Sequence, residues 1–148
     1  MAAALIVYGS TTGNTQRVAE DIAAALFKKG LAVTMKNVSD VRVEELGGSY
    51  DLTLLGSSTW GEEEIEFQED FGEFFPQLDK AELAGKKVAL FGCGDSSYPH
   101  FCGAVDLLEE AVERQGGELV VDSLRVDGEP ADNAAEILDW AAQVGAAV

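Results

Sequence analysis

Positive charge is scarce in this chain: ten lysines and arginines stand against 27 aspartates and glutamates, for a net charge of −17. That balance excludes nucleic acid as a partner, because phosphate backbones are held by Lys and Arg. It favours partners with basic faces, drawn to an acidic surface in a salt-sensitive way. Cysteine is nearly absent, and Cys93 and Cys102 stand at a spacing that no metal or redox motif uses. Free thiols near a buried loop are therefore expected rather than a disulfide. The single histidine, His100, has no ligand cluster around it, so no metal is expected. Long apolar runs are also missing, which excludes a membrane span. The start, Met1 to Val7, lacks the basic region of a signal peptide and leads directly into an apolar stretch. A cytoplasmic, monomeric protein of one domain, residues 1–148, is the expectation.

What is present alternates in a regular way. Strand-like runs fall at Ala3–Tyr8, Ala32–Asn37, Tyr50–Gly56, Lys87–Gly92 and Glu118–Val126. Helical stripes lie between them. Val18, Ile22, Ala25 and Leu26 share one face, and Phe67, Phe71, Phe74, Phe75 and Leu78 form another stripe that stops near Pro76. Val105, Leu108, Ala111 and Val112 lead to a Gly116-Gly117 stop signal. A last helix opens at Pro130 and carries Ala134, Ile137, Leu138 and Ala141. The segment between Asn37 and Tyr50 is short and polar, with Ser39 as a candidate cap for a brief helix. Continuous apolar strands alternating with helices predict a parallel sheet covered on both faces. Ligands of such sheets bind beyond the carboxyl ends of the strands.

Ser10-Thr11-Thr12-Gly13-Asn14-Thr15 joins the first strand to the first helix. It offers hydroxyls, an amide and bare backbone at a helix start, where N–H groups lack intrahelical partners and the dipole favours an anion. It is neither of two better-known phosphate loops. Gly13 is followed by Asn14 where a Walker A loop needs Lys. Only Gly9 and Gly13 stand where a dinucleotide fingerprint needs three glycines, and Ala32–Asn37 ends without an acidic residue for a ribose. An uncharged cradle of this kind suits a phosphate monoester, although Ser and Thr are also ordinary helix caps.

If strands one, three and four are neighbours, three loops meet at one edge: Gly9–Thr15, Ser57–Glu64 and Cys93–Cys102. The second and third each place an aromatic, Trp60 and Tyr98, just beyond a strand end. Two rings flanking a polar crevice suit a flat conjugated ligand, each stacked pair adding about 0.5–1.5 kcal/mol beyond burial.

The segments Gly9-Ser10-Thr11-Thr12-Gly13-Asn14-Thr15, Ser58-Thr59-Trp60-Gly61 and Gly92-Cys93-Gly94-Asp95-Ser96-Ser97-Tyr98 resemble the three loops of the short-chain flavodoxins in order and spacing. The likeness runs along essentially the whole chain. It implies an α/β fold of the flavodoxin-like type, a doubly wound five-stranded parallel sheet in the family's own order 2-1-3-4-5 with helices on both faces. It implies FMN as cofactor, its phosphate on Ser10, Thr11, Thr12, Gly13, Asn14 and Thr15. Trp60 and Tyr98 would sandwich the isoalloxazine, Tyr98 nearly coplanar on the outer face. Ser58, the Thr59-to-Gly61 backbone and Cys93, Gly94 and Asp95 would meet the ring's polar edge. Phe101 belongs to the same set, and Cys102 would approach N1 and O2 through its backbone amide. Pro99 and His100 depart from the family, where an acidic residue and an aromatic are usual, which alters the stiffness and charge of the outer loop.

The function implied is low-potential one-electron transfer, with non-covalent FMN moving between neutral semiquinone and hydroquinone, to redox partner proteins such as reductases and cytochromes. No substrate turnover is implied. Gly61 is suited to accept the N5–H bond of the semiquinone, since glycine turns its peptide without a side-chain penalty. Full reduction leaves an anion near N1, which Glu62, Glu63 and Asp95 would oppose. One carboxylate at about 10 Å does so by roughly 1–2 kcal/mol at an effective dielectric near 20. The alternative is an FMN-dependent quinone or nitro-compound reductase on the same fold, against which stand the short chain and the absence of an obvious nicotinamide site. A phosphorylated receiver domain is excluded, because Gly9-Ser10 and Gly56-Ser57 occupy the places of its acidic residues.

Overall fold

Strands that are apolar at every position need cover on both faces, and their side chains divide by period two between two cores. The computed structural model describes residues 2–9, 13–48, 50–60, 66–67, 69–81, 83–94 and 102–148, with backbone alone at 59, 60, 66, 67, 69 and 70. In chain order the elements are β1 (Ala3–Gly9), α1 (Asn14–Lys28), β2 (Ala32–Asn37), β3 (Leu52–Trp60), β4 (Glu66–Phe67), α2 (Glu69–Phe74), β5 (Lys87–Gly94), α3 (Gly103–Arg114), β6 (Glu118–Leu119), β7 (Leu124–Asp127) and α4 (Ala134–Ala146). The strands run β2-β1-β3-β5, with β6 and β7 in succession along the far edge of β5. All of these pairings are parallel. With β6 and β7 taken together as the fifth strand, this is the expected 2-1-3-4-5 order.

Ala4, Ile6, Ala89 and Phe91 face a core shared with Val18, Ile22 and Leu26 of α1 and Ile137, Trp140 and Val144 of α4. Leu5, Val7, Val88 and Leu90 face the other, with Phe71 and Leu78 on one side and Val105, Leu108 and Val112 of α3 on the other. Each fully buried large apolar side chain contributes about 1.5–3 kcal/mol, so both layers are needed. No helix among the described residues is long and apolar enough to cross a membrane.

Several local expectations are corrected. The last strand is not continuous from Glu118 to Val126. Val88 pairs with Leu119 and Phe91 with Leu124, so Ala89 and Leu90 face the four residues 120–123. The longer segment keeps Val120 and Val121 packed against the core, and the Trp140 indole N–H holds it by donating to the Asp122 carbonyl at 2.7 Å. Phe67 belongs to β4, not to a helix, and pairs with Thr59. β3 extends past the last partners offered by β1 and β5, and β4 satisfies that overhang. Beyond α2 the stripe continues as a 3-10 segment, Phe75–Lys80, because Pro76 lacks the N–H that an α-helix requires. Two 3-10 turns occupy residues 38–40 and 43–47, and the cap of the first is Asn37, whose Oδ1 accepts from the Ser39 N–H at 3.0 Å. Pro130 opens a 3-10 turn that precedes α4. The buried stripe of α4 is Ile137, Trp140, Ala141 and Val144, whereas Ala134 is exposed and Leu138 is 54% exposed. The Gly116-Gly117 stop behaves as expected. Gly116 has φ 80°, and the two glycine N–H groups donate to Glu113 and Val112 carbonyls at 3.0 Å.

Where β3, β5 and α3 meet, a Cβ on Gly92 would lie 2.5 Å from Val105 Cγ2 and 2.7 Å from the Ser57 carbonyl oxygen. Gly92→Ala is expected to lower the free energy of unfolding by about 1–3 kcal/mol in urea denaturation. An unchanged midpoint would contradict so close an approach.

Candidate functional site

Parallel strands with right-handed crossovers release their loops at one edge, and neighbouring strands release them side by side. Here Gly9 pairs with Ser57, Ser57 with Gly92 and Ser58 with Cys93. The structure therefore brings together the starts of all three anticipated loops. The end of β7 joins them: Gly94 pairs with Asp127, and the Gly128 N–H donates to the Gly94 carbonyl at 2.9 Å.

In the first loop, Gly13 stands in the left-handed region at φ 95°, and α1 begins at Asn14 without a side-chain cap. The Gly13 carbonyl accepts the first helical bond from the Arg17 N–H at 2.9 Å. No acidic residue lies in the first turn of α1, and the Arg17 guanidinium pairs with Asp21 at 3.6 Å. Asn14 is half-buried and Thr15 is 1% exposed. Among the described residues, the Thr15 Oγ1 is buried without a hydrogen-bond partner. A hydroxyl so placed costs about 1–3 kcal/mol unless something accepts or donates to it. Ser10, Thr11 and Thr12 lie outside the described residues.

The second loop leaves the end of β3. Ser57 is fully buried and its Oγ donates to the Ser58 carbonyl at 2.9 Å, while Ser58 is half-buried. The Thr59 and Trp60 backbones continue β3 against Phe67 and Glu66. Gly61, Glu62 and Glu63 lie outside the described residues.

The third loop begins at Gly94 and ends at Cys102, the residue that opens α3. Cys102 holds φ 50°, an uncommon conformation for a residue other than glycine. Its carbonyl accepts from the Val105 N–H at 3.0 Å, and its thiol points to the Gly92 carbonyl at 3.9 Å. Asp95, Tyr98, Pro99, His100 and Phe101 lie outside the described residues. Both thiols are free and buried, on opposite faces of the sheet. Burial pushes the Cys93 thiol up to about 11. The nearby Thr15 hydroxyl draws it back slightly, but the two do not reach hydrogen-bonding geometry. Burial, with Cys93 adding to it, pushes the Cys102 thiol up to about 12. Neither is a thiolate near neutral pH, so thiol nucleophile chemistry is not what this edge supports.

Sequence reasoning overlooked Arg125. Its Nη2 donates to Asp106 Oδ1 and, at 2.9 Å, to Glu109 Oε1. Burial alone would lower its pKa, but the bonds to Asp106 and Glu109 outweigh that and raise it. A signal was available: Arg125 is the sole basic residue after Arg114, set between two apolar strand positions.

Residues 6–140 match the family described as Flavodoxin. The chain is 54% identical over 140 residues to a flavodoxin of Maridesulfovibrio salexigens, covering 95% of this chain and 94% of that one. It is 44% identical over 144 residues to a flavodoxin of Nitratidesulfovibrio vulgaris strain Miyazaki F, covering 97% of each. The solved structure of the Streptococcus pneumoniae TIGR4 flavodoxin superposes with a TM-score of 0.89 at 28% identity, over 99% of this chain and all of that one.

The orphaned hydroxyl yields a test in which stability and binding move apart. Thr15→Val removes the buried oxygen and keeps the shape. The apoprotein is expected to gain up to about 1 kcal/mol in urea unfolding, while FMN binding followed by fluorescence quenching weakens about tenfold. Unchanged FMN binding would remove Thr15 from the site.

Proposed function

This chain belongs to the flavodoxin family, and we propose that it is a low-potential one-electron carrier that cycles FMN between neutral semiquinone and hydroquinone. As a flavodoxin it is an FMN protein of electron transfer that meets redox partner proteins. The placement of the cofactor rests chiefly on one observation, the Thr15 hydroxyl at the start of α1 beside three strand ends, which has no partner among the described residues.

The residues fit the cofactor. A helix start with no acid in its first turn and a buried hydroxyl seeking a partner has the chemistry of a phosphate cradle. Ser10, Thr11, Thr12, Gly13, Asn14 and Thr15 are proposed to hold that phosphate. Trp60 and Tyr98 are proposed to clasp the ring, with Ser58, Thr59, Gly61, Cys93, Gly94, Asp95, Phe101 and Cys102 at its edges. FMN supplies the redox chemistry when bound, and the protein sets its potentials. Gly61 would offer its carbonyl to a proton at N5, since glycine turns its peptide without a side-chain penalty. Glu62, Glu63 and Asp95 would add negative charge that disfavours the reduced anion, and the Trp60 and Tyr98 rings would withhold water from it.

The protein turns over no substrate of its own in this reading. It acts as a single-domain cytoplasmic monomer whose acidic surface attracts basic-faced donors and acceptors, faster at low salt. Dithionite titration of the purified holoprotein tests this. A blue intermediate is expected between the yellow and bleached forms, and Gly61→Val should diminish it severalfold. Direct bleaching of the native protein without that intermediate would contradict the proposed couple.

A further inference from the structure

Gly94 and Cys102, the described residues on either side of 95–101, are two anchors carried by different elements. Gly94 is tied to β7 through its pairing with Asp127 and the Gly128 N–H. The Asn133 side chain fixes that end of β7 by donating to the Asp127 carbonyl at 3.0 Å and to the Glu129 carbonyl at 2.9 Å. The second anchor is Cys102, whose left-handed turn starts α3. The separation of these two anchors depends on how β7 stands relative to the first turns of α3.

Arg125 joins those two elements. It sits on β7 opposite Gly92, whose carbonyl faces the Cys102 thiol. Its guanidinium reaches Asp106, in the first turn of α3, and Glu109 one turn on. Ser123, just before β7, donates to the second oxygen of Glu109 at 3.0 Å. The Arg125 and Glu109 side chains are only 32% and 31% exposed, so solvent screens this pair less than an open surface pair. The Arg114–Asp79 pair at the other end of α3 is different in kind, a single 3.3 Å contact with side chains 61% and 67% exposed. Without Arg125, Asp106 and Glu109 would repel each other three residues apart on one helix face.

We propose that Arg125 is the positioning residue of the third flavin loop, fixing the separation of its two anchors by clamping β7 to the start of α3. The proposal rests on the reading that residues 95–101 face FMN, but its mechanical part can be read without flavin. Cys102 is fully buried, and loosening the start of α3 exposes its thiol.

The test compares the wild type with Arg125→Gln, Arg125→Lys and, as a control, Arg114→Gln. Two readouts are taken on the full chain: iodoacetamide labelling of Cys102 relative to Cys93 in the apoprotein, and FMN affinity by fluorescence quenching. Arg125→Gln is expected to raise Cys102 labelling and to weaken FMN binding, each about tenfold, the scale of one charge-assisted contact. Arg125→Lys should restore most of both, and Arg114→Gln should change neither. A lower melting temperature in Arg125→Gln with wild-type labelling and affinity would reduce Arg125 to a structural ion pair and overturn the proposal. If Arg125→Gln does not fold, Asp106→Asn replaces it, with a few-fold rise in Cys102 labelling expected and no rise counting against the clamp. Wild-type protein that fails to bind FMN would sink the functional reading, while the labelling comparison would still judge the clamp.

Discussion

Between Gly9 and Asn14 the chain passes from a fully buried strand into a helix whose first amides have no intrahelical acceptors. Covered on both faces, the sheet offers ligands only its edges, and this turn lies at the carboxyl edge. Gly13 enters α1 with a left-handed backbone, and Thr15 lies under the surface with its hydroxyl unmatched among the described residues. The remaining features of the site are arranged around that point. β3 and β5 stand in register beside β1, α3 begins next to the β5 loop, and the end of β7 braces Gly94.

An anionic cofactor in a chain of net charge −17 is a conflict between near and far fields. At hydrogen-bonding range, the proposed cradle would meet the phosphate with hydroxyls and helix amides, and no acid stands in the first turn of α1 to oppose them. At longer range the acidic surface would act on the reduced ring and on approaching partners, and salt would weaken it. In the proposed reading, binding and redox tuning therefore rest on different residues, neutral groups for the phosphate and carboxylates for the potential. The cations near this edge are held by carboxylates, Arg17 by Asp21 and Arg125 by Asp106 and Glu109.

Much of this was legible in the residue order. Apolar runs located the four long strands, and the stripes of α1 and α3 matched their buried faces. The errors share a cause, namely contacts between segments distant in sequence. The break between β6 and β7 depends on Trp140 reaching Asp122, and β4 forms because β3 outruns its neighbours. The phase of α4 was misjudged because Leu138 lies one position off the stripe led by Trp140. At the site, the three loops could be brought together from strand order alone. Which hydroxyl would be buried without a partner, and that Arg125 would bridge β7 to α3, depend on packing that no local pattern records.

The most direct measurement compares FMN with riboflavin, which carries the same ring without the phosphate, by fluorescence quenching on the apoprotein. If the uncharged turn into α1 is the principal grip, FMN binds below micromolar concentration and riboflavin at least about a hundredfold more weakly. Equal affinities, or FMN left unquenched at micromolar protein, would contradict that account.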